Sequence, residues 1–150
     1  MSKILININV FTPEIRKNIF EILEAILSIN IAPNPASEGL QPHADGIIEN
    51  ILDKFEEAGM STSYGNIFKM MCKRLELINH FLTVDFFKSI TKHIANPVFD
   101  ISSEALSVLE GIIISDDKLI QNEVKIRILI KFNTTLFFVT VYLNILSFEI

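Results

Sequence analysis

Residues 96–113 read NPVFDISSEALSVLEGII, and this stretch decides the fold class. Pro97 halts whatever precedes it and holds Asn96 out of helical backbone. A short Phe99-Asp100-Ile101 turn follows, with Asp100 placed to cap a helix. Beyond it, Ile101, Ala105, Val108, Leu109 and Ile112 recur at helical spacing and form one apolar stripe. No residue in the stretch has the character of a catalytic group. It reads as one layer of a stacked helical array.

Working back toward the N-terminus, the same periodicity returns. Residues 84–95 predict a short helix buried through Phe86, Phe87, Ile90 and Ile94. Residues 63–82, with Ser63 as cap, carry Tyr64, Ile67, Phe68, Met71, Leu75, Ile78 and Leu82 as the clearest amphipathic run in the chain. Residues 44–58 predict another helix, with Asp45 at its start, Ile47, Ile48, Ile51, Leu52 and Phe55 as its stripe, and Gly59 just past its end. Residues 29–43 contain Pro33, Pro35 and Pro42 and predict a proline-rich loop. Before it, Thr12 caps a helix over 13–28, with Pro13 at its first position and Glu14 against the dipole. Its stripe reads Ile15, Ile19, Ile22, Leu23 and Ile26, with Arg16, Lys17, Glu21 and Glu24 on the other side. The opening MSKILININV is β-branched and alternating, which leaves a strand, a frayed end or the stub of a larger element open.

These helices, joined mostly by short breaks, predict an all-α fold of the armadillo/HEAT-like solenoid class, in which a repeat of roughly 40–47 residues stacks on its neighbours. The spacing from the second predicted helix to the fifth is taken as that repeat. The partial helical-repeat domain is expected over 1–124. From Lys125 the character changes. No charge stands between Lys131 and Glu149, and 136–146 is almost wholly apolar. Three readings of this divergent tail, 125–150, are open: a membrane anchor, buried segments on the domain end, or an aberrant continuation. Asn133, Thr134, Thr135, Thr140 and Asn144 interrupt it, so length and polarity favour the last two over a span of about 20 apolar residues.

Composition narrows function by exclusion. A formal net charge of −5 and an isoelectric point near 5.2 argue against a nucleic-acid partner. Cys72 is the lone cysteine, so no internal disulfide forms, and a reducing cytoplasmic setting is expected. His43, His80 and His93 have no metal-ligand spacing, and no phosphate-binding glycine loop or nucleophile motif is present. Cys72 on a helix stripe reads as a small buried hydrophobe. Glu49, Asp53, Glu56 and Glu57 read as a solvated helix face. Neither metal, cofactor nor small-molecule substrate is implied, and no enzyme active site is found. Phe99 stands out because a phenyl group at a helix corner calls for something to cover it.

Residues 86–113, FFKSITKHIANPVFDISSEALSVLEGII, resemble a segment of the calcium-binding protein 39 family, the Mo-twenty-five-like scaffolds. The matching points are Phe86-Phe87, then Phe99-Asp100-Ile101 followed by Ser102-Ser103-Glu104-Ala105. Gly65, Cys72 and Arg74, and further back Arg16-Lys17, Ile19-Phe20 and Ile22-Leu23, extend the similarity across roughly 12–115. The resemblance implies a non-enzymatic rod of helical repeats. Such scaffolds hold Ste-twenty-like kinases and STRAD-type pseudokinases in an active conformation through a concave face. It places Phe99, with Asp100 beside it, on the partner-binding surface. Despite the family's name, it implies no calcium site. The resemblance stops near Asp117, so the chain reads as a fragment, the product of a truncated reading of its gene, or a divergent paralogue. A cut array exposes an apolar end and invites self-association. The other reading is a membrane-associated helical protein anchored by 132–150.

Overall fold

The computed structural model describes residues 1–113. Among them every regular element is helical: α1 (Ser2–Ile6), a 3-10 turn (Ile8–Val10), α2 (Pro13–Leu27), α3 (Pro35–Leu40), a 3-10 turn (Gln41–His43), α4 (Ala44–Asp53), α5 (Ser61–Cys72), α6 (Leu75–Phe81), α7 (Val84–Ile94) and α8 (Phe99–Ile113). No helix among the described residues is long and apolar enough to cross a membrane. The divergent tail and the segment expected from Asp117 lie outside the described residues.

Local chemistry accounts for the starts of three helices, α2, α3 and α7. The Thr12 hydroxyl accepts the Ile15 N–H, with Pro13 in the first turn of α2. Asn34 accepts from the N–H groups of both Ala36 and Ser37 at the start of α3, and Thr83 accepts from Phe86 at the start of α7. Asp45, Ser63 and Asp100, expected as caps, instead lie inside the first turns of α4, α5 and α8. Asp45 is drawn to His80, whose Nδ1 is 2.8 Å from its carboxylate.

Two helical triplets repeat. The order α3–α4–α5 recurs as α6–α7–α8, each helix starting about 40 residues after its counterpart. The equivalent helices α3 and α6 pack together, as do α5 and α8, and α2 lies against α5 in the same layer. The repeat therefore relates the second predicted helix to the fourth, not to the fifth. The sequence misplaced it because it read α5 and α6 as one helix. The break falls at Lys73 and Arg74, where Arg74 takes extended backbone and its guanidinium donates to the carbonyls of Ile29 and Ile31. Glu76, just past the break, accepts from the Asn34 N–H at 3.2 Å and from the Ser37 hydroxyl at 3.2 Å. Satisfying the polar backbone of the connection from α2 to α3 takes precedence over continuing the helix. That connection is no loose loop: α3 forms inside it and Leu40 is fully buried.

Phe68 on α5 centres an aromatic cluster, with the rings of Phe55, Phe81 and Phe86 at 6.2, 5.5 and 5.6 Å. The stripes expected on α7 and α8 are buried as read, and so is Cys72. At the N-terminus the strand reading fails, since residues 2–6 are helical and Leu5 and Ile8 enter the core. On α2 the buried face is Arg16, Phe20, Leu23 and Leu27, while Ile15 and Ile22 are exposed. The isoleucine stripe is the more hydrophobic face, but the Tyr64 phenol on α5 and the Glu57 carboxylate in the turn before it draw Arg16 inward instead.

Candidate partner-binding surface

The layer α2–α5–α8 is cross-linked by polar groups at two levels. Between α2 and α5, Arg16 Nη1 donates to the Tyr64 hydroxyl at 2.7 Å and Nη2 to Glu57 Oε1 at 2.7 Å. The Tyr64 hydroxyl in turn donates to Glu57 Oε2 at 2.9 Å. Burial pushes the Glu57 carboxyl up, but hydrogen bonds from Arg16 and Tyr64 outweigh it and hold the group below its usual range. Burial, reinforced by the bond to Glu57, raises the Tyr64 phenol far above its ordinary value. Glu57 is thus part of a largely buried triad rather than of a solvated face.

Between α5 and α8, Lys69 Nζ lies 3.0 Å from Glu104 and 3.1 Å from the Ser107 hydroxyl. Two glycines make this possible. A Cβ on Gly65 would stand 2.5 Å from Glu104 Cγ and 2.6 Å from its Cδ, and one on Gly111 would stand 3.0 Å from Lys69 Cγ. The helices approach at the glycines, and the charged side chains lie across them. Glu24 on α2 faces the same lysine. Burial and its neighbour Glu21 raise its carboxyl, and Lys69 pulls the other way.

Phe99 opens α8 and is 67% exposed, and Asp100 is exposed beside it. The two diverge. Phe99 shares a flank of α8 with Ser103, Leu106 and Glu110, whereas Asp100 shares the other with Glu104 and Ser107, toward α5. The turn that launches Phe99 is fixed from several sides. Asn96 Oδ1 accepts the Val98 N–H at 2.8 Å, and Ser102 Oγ donates to the Ile94 carbonyl at 2.6 Å. Hydrogen bonds from Asn96 and then from His93 depress the Glu56 carboxyl. His93 places Nδ1 3.0 Å from Glu56 and Nε2 3.2 Å from the Leu52 carbonyl, and its ring packs 4.9 Å from that of Phe55. Both imidazole nitrogens are thus engaged, one by a side chain and one by the backbone. Phe99 therefore projects from a buttressed corner.

The Mo25-like family model matches residues 1–146. The chain belongs to the Mo25-like family. Neither the curated proteins nor the solved structures give a match. The all-helical repeat described above is the Mo25-like architecture, and the family is one of non-catalytic scaffolds, which gives this chain a scaffold role. The family resemblance drawn from Phe99-Asp100-Ile101 and its surroundings is thereby upheld, but its extent is corrected: the match does not stop near Asp117 and runs on into the segment from Lys125.

The groups with chemical potential in this Mo25-like chain have structural duties. Cys72 is buried, and burial pushes its thiol well above the ordinary range, away from the reactive thiolate. No group of three or more His, Cys, Asp or Glu side chains able to hold a metal occurs among the described residues. The cross-links Arg16–Glu57–Tyr64 and Lys69–Glu104–Ser107 escaped sequence reasoning, because charged residues between apolar positions read as solvent-facing. Gly65 was the one available signal, a glycine inside an otherwise unbroken helical run.

Proposed function

We propose that this chain binds protein kinases or pseudokinases of the Ste-twenty type on the surface formed by α2, α5 and α8, stabilising an active conformation of the partner without chemistry of its own. The observation that carries the reading is Phe99, two-thirds exposed on a rigid helix start. An exposed aromatic on a fixed base loses little conformational entropy on binding and is the kind of residue that dominates an interface. Asp100, on the adjacent flank, supplies a carboxylate for an Arg or Lys of the partner. Membership of a scaffold family supports the same reading, as does the absence of a nucleophile or metal constellation in the sequence. The setting is the cytoplasm.

The test is binding of a purified Ste-twenty-type kinase to wild type, Phe99→Ala and Asp100→Ala. Loss of a central aromatic anchor costs about 2 kcal/mol, or roughly thirtyfold in Kd. Asp100→Ala is expected to cost less, and its effect should fade with salt. Equal capture by wild type and Phe99→Ala would remove Phe99 from the interface.

A second mode has support in Ile15 and Ile22, exposed at 46% and 55% on α2. With the half-buried Ile19 and Ile26 they make an apolar stripe at helical spacing, through which the end of the array self-associates.

A further inference from the structure

A groove between α4 and α7 lies apart from the proposed kinase-binding face. None of its lining residues comes from α2, α5 or α8. It has a volume of about 480 Å³ and continues toward His93 as a second hollow of about 330 Å³. Its floor is apolar, formed by Ile48, Leu52 and Phe86. Its α4 wall is a row of exposed carboxylates, Asp45, Glu49 and Asp53, each about one turn beyond the last, and Glu56 follows in the turn after the helix. On the facing α7 wall stand Asp85 at the end near His80 and Lys92 at the far end, beside the second hollow.

Some of these charges have local explanations. Asp45 holds His80, Glu56 holds His93, and Asp85 lies in the first turn of α7, where the helix dipole favours an anion. Glu49 and Asp53 have none. Neither makes an ion pair among the described residues, and like charges one turn apart oppose helix formation in α4. The row does not converge as a divalent-cation site would, since no cluster of metal-holding side chains occurs among the described residues. Carboxylates spaced along an apolar-floored channel match cations spaced along a chain.

We propose that the α4–α7 groove docks a basic amphipathic protein segment. Lys or Arg side chains at one-turn spacing pair with Glu49, Asp53 and Asp85, and an apolar residue between them sits over Leu52 and Phe86. This surface is independent of the kinase reading, since it uses neither Phe99 nor the α2–α5–α8 face.

The experiment is fluorescence anisotropy with the full chain and a labelled amphipathic Lys/Leu peptide of about four helical turns, against a Glu/Leu peptide of equal length. Wild type is expected to bind the Lys/Leu peptide, with affinity falling as salt rises, and to ignore the Glu/Leu peptide. Glu49→Lys/Asp53→Lys should weaken Lys/Leu binding by about tenfold or more, with an unchanged circular-dichroism spectrum, and Phe99→Ala should leave it unaltered. Should the double variant fail to fold, Asp85→Lys on the opposite wall carries the same expectation. Equal Lys/Leu binding by wild type and a folded charge-reversal variant would overturn the proposal. So would equal binding of the two peptides by wild type, or no binding of the basic peptide at low salt.

Discussion

Replacing Gly65 by alanine tests whether the close approach of α5 and α8 is set by the absence of a single methyl group. In an unconstrained helix interior, Gly→Ala is stabilising by about 1 kcal/mol. Here the new Cβ falls 2.5 Å from Glu104 Cγ, so the whole carboxylate arm must swing away. Swinging it breaks the 3.0 Å contact with Lys69, a pair whose side chains are 27% and 15% exposed. A pair at that depth lies between the surface value near 1 kcal/mol and the 3–5 kcal/mol of a broken buried pair, so its loss costs about 1–2 kcal/mol. Crowding adds about 1–2 kcal/mol. The sum outweighs the propensity gain, and Gly65→Ala is expected to destabilise the chain by about 1–3 kcal/mol, lowering Tm by about 3–8 °C. In a Glu104→Ala background the obstructing arm is gone, and the same change should be neutral or stabilising by up to about 1 kcal/mol. Thermal and urea denaturation of the four proteins of this cycle measure the coupling, expected at about 1–4 kcal/mol. A Gly65→Ala effect of the same sign and size in both backgrounds would refute the close-approach reasoning.

Other expectations concern acid stability and assembly. Against the raising effect of burial, hydrogen bonds from Arg16 and Tyr64 hold the Glu57 carboxyl below the ordinary carboxylate range in the folded chain. The stability it contributes is therefore present above the unfolded-chain pKa and is lost as pH falls through the folded pKa. Tyr64→Phe removes one of the bonds that depress it and should cost about 1–2 kcal/mol at pH 7, a difference that shrinks toward pH 3 as Glu57 protonates in both proteins. An equal loss at both pH values in urea unfolding would show that the phenol does not act through the Glu57 carboxylate. If the α2 stripe drives self-association, light scattering should find wild type larger than a monomer at high concentration, and Ile15→Glu/Ile22→Glu should restore the monomer; an unchanged mass for that variant would remove the stripe.

How far the fold could be read from the residues depended on what each segment meets. On α7 and α8 the apolar stripe and the buried face coincide, because those helices meet other apolar helices and periodicity alone decides the contact. On α2 the two differ, because α5 offers Tyr64, and the turn before it Glu57, at the height of Arg16. The more hydrophobic face was therefore not the buried one. The partner lies 48 residues away in the chain, and no local pattern announces it. The break between α5 and α6 is of the same kind, since Arg74 and Glu76 serve the backbone near Ile29, Ile31 and Asn34. The exposed corner position of Phe99 was legible because a large aromatic between a proline and a helix start is conspicuous without knowledge of its neighbours. The bonds through Asn96 and Ser102 that aim it were not, because they join side chains to backbone across a turn.

A binding face assembled from three helices has a requirement that a single helix does not. Each helix must hold its axial register against the next, since a shift of about one residue, roughly 1.5 Å, moves every exposed side chain out of line with a partner. Apolar packing supplies most of the adhesion, and it is non-directional. Arg16 against Tyr64 and Glu57 fixes α2 on α5, and Lys69 against Glu104 and Ser107 fixes α8 on α5, each through bonds with defined direction and length. Gly65 and Gly111 bring α8 close enough for the second link to form. For the proposed α2–α5–α8 binding face, these links matter more for where Phe99 stands relative to α2 and α5 than for how tightly the helices adhere. Buried polar links contribute less adhesion than apolar residues of equal size would. Their presence between neighbouring helices of the α2–α5–α8 layer is what a face held in one register requires.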